Sequence, residues 1–340
     1  MEYYLLTPAL VSITFLIVYV LLWKYVSFAK KRGIVAPDVH KPGMPKIPTM
    51  GGVVLFALIP MYALLIILFP NTVHRSIPIV NEVLTIIIVT LSSGLIGLID
   101  DFRDLGLKKV FMSGVLFVPF LVFHAYNPRL LVPFVGRIRI TILYPLLLIA
   151  AVPVVVNAIN MVDTHNGVML TGVLSVLIPL FLWSILRNDY VSATYLSIAI
   201  SAVVAMFMWN KYPAKVFLGN VGSYLLGGLL ISLIVISGLE YVALVAMFPI
   251  ILHGFYLLTS IKGLMTRQQI REKAGKPVKV VDGVIYPNLD PNAPFTLTRL
   301  LILAYGPMTE KELVKKFYLV FAFSSILALL TGFIMFYPVL

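Results

Sequence analysis

The chain contains no cysteine among its 340 residues, which excludes disulfide frameworks, thiolate nucleophiles and thiolate metal centres. Charge is also scarce. Asp, Glu, Lys and Arg make up 12% of the sequence, with 14 acidic residues against 26 basic ones. Histidine occurs five times and not after His253. The sequence shows no internal repeat of solenoid length and no low-complexity tract. So few charges do not suit a soluble domain of this length. Hydrophobic residues reach 60% and the mean hydropathy is +1.01, which points to a polytopic membrane protein.

About 20 apolar residues cross a bilayer as a helix. Candidate spans fall at roughly 8–28, 51–69, 83–100, 110–125, 140–157, 168–186, 190–209, 221–239, 242–264 and 316–338. The runs are continuously apolar rather than alternating, which predicts helices and not a barrel. The expected fold is all-α, a polytopic membrane protein of about ten transmembrane helices, the fourth being the shortest, in one transmembrane domain over 1–340. The first span lacks a positive leader and a small-residue cleavage pattern, so it reads as a retained helix.

Lysine and arginine set the orientation. With the N-terminus outside, 21 of the 26 basic residues fall on inner segments and five on outer ones, and both termini lie outside. The net charge of +12 therefore gathers on the cytoplasmic face. There it suits anionic lipid and a phosphate-bearing substrate, and no nucleic-acid partner is expected. The outer connections near 70–82 and 126–139 read as apolar-polar caps. The largest inner loop runs over 265–315. Within it VKVV-DG-VIYP, Val278 to Pro287, carries a strong hairpin signal at Asp282-Gly283. Pro287, Pro291 and Pro294 then break structure. TLTRLLILAYG, Thr296 to Gly306, reads as a short amphipathic helix at the interface.

Five polar clusters fall on this inner face. KIPTMGG ends the first inner loop, where Lys46 offers a point charge to phosphate and Gly51-Gly52 permit close backbone approach to a ligand; a loop-to-helix connection explains them as well. GLIDDFRDLGLKK places Asp100 and Asp101 at the edge of a span. Adjacent carboxylates repel, and a divalent cation is the simplest way to keep both ionised. Asp104 lies three and four residues on, beside both if the helix continues, with Lys109 following. A solvated helix end with internal ion pairs is the competing reading. In NAINMVDTHNGV, Asn157, Asn160, Asp163 and Asn166 recur every three residues as a drifting helical stripe. Amides suit a nucleotide or sugar, and equally helix–helix packing. FLGNVGSYLLGG opens the eighth span with Phe217 as a nucleobase platform, although Gly227 and Gly228 read better as packing positions. In TRQQIREKAGK, Arg267 and Arg271 lie one helical turn apart, suited to phosphate oxygens or to membrane anchoring.

Together these motifs resemble the polyprenyl-phosphate N-acetylhexosamine-1-phosphate transferase superfamily over nearly the whole chain. Within it, FTLTRLLILAYGPMTEKELV, Phe295 to Val314, is similar to the eukaryotic and archaeal UDP-GlcNAc:dolichyl-phosphate branch. The bacterial MurNAc-pentapeptide branch carries a histidine-rich motif in its last large inner loop, absent here, whereas TMGG is closer to the bacterial style. The resemblance implies transfer of GlcNAc-1-phosphate from UDP-GlcNAc to a polyprenyl or dolichyl phosphate in the membrane, with release of UMP and dependence on Mg2+ or Mn2+. It implies that Asp100 and Asp101 position the metal and the lipid phosphate, or that one acts as base. Lys109 would sit near the phosphates, one residue short of the family spacing from Asp101. Asn160 and Asp163 would border the metal, Phe217 would stack on uracil, Asn166 would bond its edge, and Arg267 and Arg271 would grip the diphosphate. The family's Phe-x-Gly box ends in a metal-binding Asp, where this chain has Asn220, a neutral ligand. A sister transferase using another UDP-HexNAc, or a transporter or flippase, are the alternatives, and a second copy of the chain is a candidate partner. The membrane is the cell membrane, or the endoplasmic reticulum in a eukaryote. Transporters hold polar sites near the bilayer midplane, whereas these spans are clean inside.

Reporter fusions after Arg32, Lys109, Lys215 and Lys276 are expected to be cytoplasmic. An extracytoplasmic signal from any of the four would break the shared-face argument.

Overall fold

The computed structural model describes residues 2–68, 76–263, 265 and 267–337, without the side chains of residues 2–6, 76–78, 267, 268 and 271. The chain opens with α1 (Glu2–Arg32), followed by the hairpin of β1 (Val35–Pro37) and β2 (Lys46–Pro48). A 3-10 segment, Gly51–Ala57, runs into α2 (Leu58–Leu68), and α3 (Ser76–Phe102) follows. Next come α4 (Lys108–Ser113), a 3-10 turn at Gly114–Phe117 and α5 (Val118–Val122). A second hairpin, β3 (Arg129–Val132) with β4 (Gly136–Arg139), leads to α6 (Leu143–Val162), α7 (Val168–Leu186), α8 (Tyr190–Asn210) and α9 (Gly219–Ser237). The chain continues through α10 (Glu240–Ala246), α11 (Phe248–Ser260), α12 (Arg267–Lys273), β5 (Val278–Val281), β6 (Val284–Pro287), α13 (Leu297–Tyr305), β7 (Met308–Thr309) and α14 (Glu310–Phe336).

Among the described residues, eight helices are long and apolar enough to cross a membrane, or nine when the bent pair α10–α11 counts as one span. The 63° bend falls beside Pro249, which lacks the N–H that would bond the carbonyl four residues back. The expected count of about ten such helices is not reached among the described residues. The difference lies at 110–125, where α4, the 3-10 turn and α5 form a broken helical string too short to qualify. That string still carries the chain from the end of the bundle where α3 stops to the end where α6 starts: Tyr126 stacks on Tyr144, at 5.5 Å, and Tyr144 bonds Glu240 at the start of α10.

Burial ranks the helices. In α9, 83% of the membrane-length window is covered by protein, against 28% in α1 and α14, so α9 is the axis and those two are the rim. Glycine makes this axis possible. A Cβ on Gly52 would strike the Gly222 backbone, one on Gly97 the carbonyl of Asn220, and one on Gly227 would lie 2.7 Å from Val156 Cα. Gly227 and Gly228, the latter against Ser93, are therefore packing positions, as expected. Gly51 and Gly52 admit the Phe217–Leu218 backbone, with Gly51 N bonding Phe217 O and Gly52 N bonding Leu218 O, both at 2.9 Å. Their close approach is thus to protein, which favours the loop-to-helix reading.

The hairpin expected at Val278 to Pro287 forms with its predicted register, Val281 opposite Val284, and β7 adds a third strand. Asp282 and Gly283 take φ of 50° and 78°, the left-handed pair that such a turn demands. The helix expected over Thr296 to Gly306 appears as α13, with the Thr296 hydroxyl accepting from Arg299 N at 3.2 Å.

Gly52→Ala is expected to cost about 1–3 kcal/mol, because the backbone of Gly222 has no room to yield. Gly114→Ala, with nothing within 4 Å, should be neutral or stabilising. Thermal unfolding in detergent checks both, and equal midpoints would remove the close-approach account.

Candidate active site

Asp100 lies buried in the last turn of α3. Its Oδ2 accepts from Lys109 Nζ at 2.6 Å and its Oδ1 from Leu105 N at 2.9 Å. The ammonium group also stands 5.9 Å from the centre of the Tyr224 ring. Asp101 turns to α9. Its two oxygens accept from Asn220 N at 2.8 Å and Val221 N at 2.9 Å, in the first turn of that helix. Helix N-termini leave N–H groups without intrahelical partners and carry partial positive charge, so a carboxylate is stabilised there. Gly219, at φ +74°, is the position a Cβ could not occupy, since it would lie 2.7 Å from Asp101 Oδ2.

Asp104 departs from expectation. The helix ends at Phe102, so the helical spacing that would set Asp104 beside the pair stops short of it. Asp104 is exposed and accepts from Gly106 N at 2.9 Å, closing a turn before α4.

The asparagine stripe is helical only in its first half. Asn157 donates to Ser113 Oγ at 2.9 Å and accepts from Tyr224 OH at 2.7 Å, tying α6 to α4 and α9. Asn160 donates to Asn220 Oδ1 at 2.9 Å and Ser223 Oγ at 2.7 Å. α6 then ends at Val162, so Asp163 and Asn166 fall in the loop and leave the stripe. Asp163 is half-buried. Asn166 is buried, with its Nδ2 on Asp38 Oδ2 at 3.2 Å and its backbone N on Glu310 Oε1 at 3.3 Å.

Phe217 is half-buried and held by its backbone, with its N donating to Pro48 O at 2.8 Å. Lys46 is exposed on β2, opposite Pro37. Arg267 and Arg271 lie one turn apart on α12, and their side chains lie outside the described residues.

Sequence reasoning missed a neighbouring group. Asp38, His40 and Lys41 from the first inner loop meet Glu310 at the head of α14. Lys41 pairs with Asp38 and, at 3.1 Å, with Glu310 Oε2. The run Asp38-Val39-His40-Lys41 was a visible polar signal, but Glu310 gave none, being read as part of a loop. Burial pushes the His40 pKa below its ordinary value, against the opposing pull of Glu310 and Asp38, and pushes that of His165 well below.

Oxygen alone supplies the donors at the acidic pair. Each oxygen of Asp100 and Asp101 accepts one bond described above, as does Asn220 Oδ1, and such oxygens hold a second lone pair. This chemistry fits Mg2+, which takes one or two carboxylates and completes its octahedron with water and substrate phosphates. Among the described residues, Asp100, Asp101 and Asp163 do not close into a preformed three-ligand group.

Residues 83–238 match glycosyl transferase family 4. A protein of Saccharolobus solfataricus, provisionally named UDP-N-acetylglucosamine–dolichyl-phosphate N-acetylglucosaminephosphotransferase, is 32% identical over 76% of this chain and 80% of its own length. A Methanocaldococcus jannaschii protein, provisionally named a glycosyltransferase, is 30% identical over 87% of each chain. The phospho-N-acetylmuramoyl-pentapeptide-transferase of Dictyoglomus thermophilum is 30% identical over 74% of this chain and 80% of its own.

Asp101→Ala is expected to lower stability by about 1 kcal/mol through loss of the helix cap. Asp100→Asn and Asp101→Asn should each slow turnover about a hundredfold, ~2.7 kcal/mol. Near-native turnover in both would remove the acidic pair from the chemistry.

Proposed function

The chain belongs to glycosyl transferase family 4, and we propose that it transfers GlcNAc-1-phosphate from UDP-GlcNAc to a polyprenyl phosphate of the dolichyl type, releasing UMP. One observation carries the reading. Asp100 with Lys109, Asp101 on the first turn of α9, and Asn160 with Asn220 converge at one end of a bundle whose spans are otherwise apolar. That arrangement suits a reaction at a membrane surface between two anionic substrates.

In the proposed step an oxygen of the lipid phosphate attacks the β-phosphorus of UDP-GlcNAc. The bond from that phosphorus to the bridging oxygen breaks, and the oxygen leaves with the electron pair as part of UMP. The product is a lipid-linked pyrophosphoryl sugar. Phosphoryl transfer asks of the protein mainly positioning and charge stabilisation. Lys109, oriented by Asp100, supplies positive charge for the transferring phosphoryl oxygens. Phe217 supplies a ring face for uracil and Asn166, anchored by Asp38, bonds the base edge. Arg267, Arg271 and Lys46 would hold phosphates. Mg2+, or Mn2+ in its place, would be held by Asp100, Asp101, Asp163 and Asn220, and when bound it offsets the charge of the diphosphate. The site is assigned to the cytoplasmic face from the excess of lysine and arginine on the segments that bear it.

Membranes containing the protein, given UDP-GlcNAc, dolichyl phosphate and Mg2+, should release UMP. Activity only with UDP-MurNAc-pentapeptide would transfer the assignment to the pentapeptide branch, and no UMP from any UDP-sugar would overturn it. In the same assay Asn220→Asp keeps the acceptor for Asn160 and adds a charge. It should therefore lower the Mg2+ concentration needed for half-maximal rate, whereas an unchanged requirement would take Asn220 out of the metal site.

A further inference from the structure

A second cluster stands beside the site and takes no part in the proposed transfer. His40 in the β1–β2 loop, His165 in the α6–α7 loop and Glu310 at the head of α14 each bring one ligand atom within 4.8 Å of the others. Nδ1 of His40 and Nδ1 of His165 both lie 3.9 Å from Glu310 Oε1. The two imidazole centres are 4.4 Å apart. His165 and Glu310 are buried, while His40 is half-buried and opens the cluster to solvent.

A separation of 3.9 Å is too long for a hydrogen bond, and His165 Nδ1 has no hydrogen-bond partner although the side chain is only 2% exposed. The other ring nitrogen, Nε2, lies 3.4 Å from Thr298 Oγ1. With the proton on Nε2, directed to that hydroxyl, the Nδ1 lone pair faces the Glu310 carboxylate. Glu310 Oε1 accepts from Asn166 N at 3.3 Å, but His165 Nδ1 faces it with no donor between them, which is costly in a buried setting, and a cation there removes the conflict. Lys41 does not fill this place, because it binds the far oxygen, Oε2, and Asp38. Asp38 and Glu310 carry two negative charges against the one on Lys41, with Lys276 the next cation whose field reaches His40.

We propose that His40, His165 and Glu310 form a binding site for a divalent transition-metal ion of the zinc or cobalt class, distinct from the oxygen-only site at Asp100 and Asp101. Two imidazoles and a carboxylate are a ligand set for zinc rather than magnesium, with water completing the coordination. A tetrahedral ion with bonds of about 2.0–2.1 Å sets its ligands roughly 3.3 Å apart, so small rotations of the two rings close the site. Thr298 would fix the His165 tautomer, the role outer partners play at metal-bound histidines. The ion would staple the first inner loop, the loop after α6 and the head of α14.

The test uses the full-length, tag-free protein in detergent, stripped of metal and titrated with Co2+ in excess Mg2+. Visible absorption of the cobalt reports four-coordinate binding. One Co2+ per chain is expected, displaceable by Zn2+. His40→Gln, His165→Gln and Glu310→Gln should each weaken binding at least tenfold, Thr298→Val by about 10–100-fold, and Asp100→Asn not at all. If the two buried positions do not tolerate replacement, His40→Gln, on a half-exposed loop, decides. No Co2+ uptake by the wild-type chain in Mg2+, or uptake that survives His40→Gln, overturns the proposal. Because the readout is metal binding, its failure leaves the transfer reaction untouched, and the reverse also holds.

Discussion

The end of the bundle that carries the acidic pair depends on how closely backbone approaches backbone around the first turn of α9. The amides of Asn220 and Val221 need an acceptor, and Asp101 supplies both oxygens. That contact forms only because Gly97 on α3 and Gly52 on the first inner loop carry no side chains where the turn arrives. The same constraint places Asn220 against Asn160 and Tyr224 against Asn157. Lys109 then reaches Asp100 from the start of α4, next to the helix that Asp101 caps. Chemistry and packing therefore share atoms here, and one carboxylate both seats a helix and sits where two anionic substrates would meet.

Asn220 shows what this sharing does to charge. Its backbone N–H holds Asp101, while its side-chain oxygen accepts from Asn160. A carboxylate at this position could accept the same bond from Asn160. The amide leaves the site one negative charge poorer, which reduces repulsion toward phosphates and also weakens the pull on a cation. The two effects oppose each other, and the Mg2+ dependence of the proposed transfer would report their balance.

Much of this was legible in the sequence where a local rule acts alone. Asp282-Gly283 announced its hairpin because few residues accept two successive left-handed conformations, and long apolar runs announced their spans. Legibility failed where tertiary contacts decide. The run at 110–125 has apolar composition but breaks into short pieces packed against α3 and α6. α14 starts at Glu310 rather than near 316, because Thr309 and Glu312 form a capping box ahead of the apolar stretch. The period of three in the asparagine motif implied one helix face, yet α6 stops at Val162 and sends Asn166 to Asp38. The meeting of His40, His165 and Glu310 joins residues from three distant parts of the chain, and no periodicity encodes it.

The central position of α9 also constrains the order in which the protein can be made. α3 and α6 both pack on α9, yet they leave the ribosome before it. Until residues near 238 have entered the bilayer, the notch at Gly97 and the amide of Asn160 have no counterpart. A nascent chain halted before α9 therefore holds Asp100 and Asp101 but lacks the two amides from which Asp101 accepts.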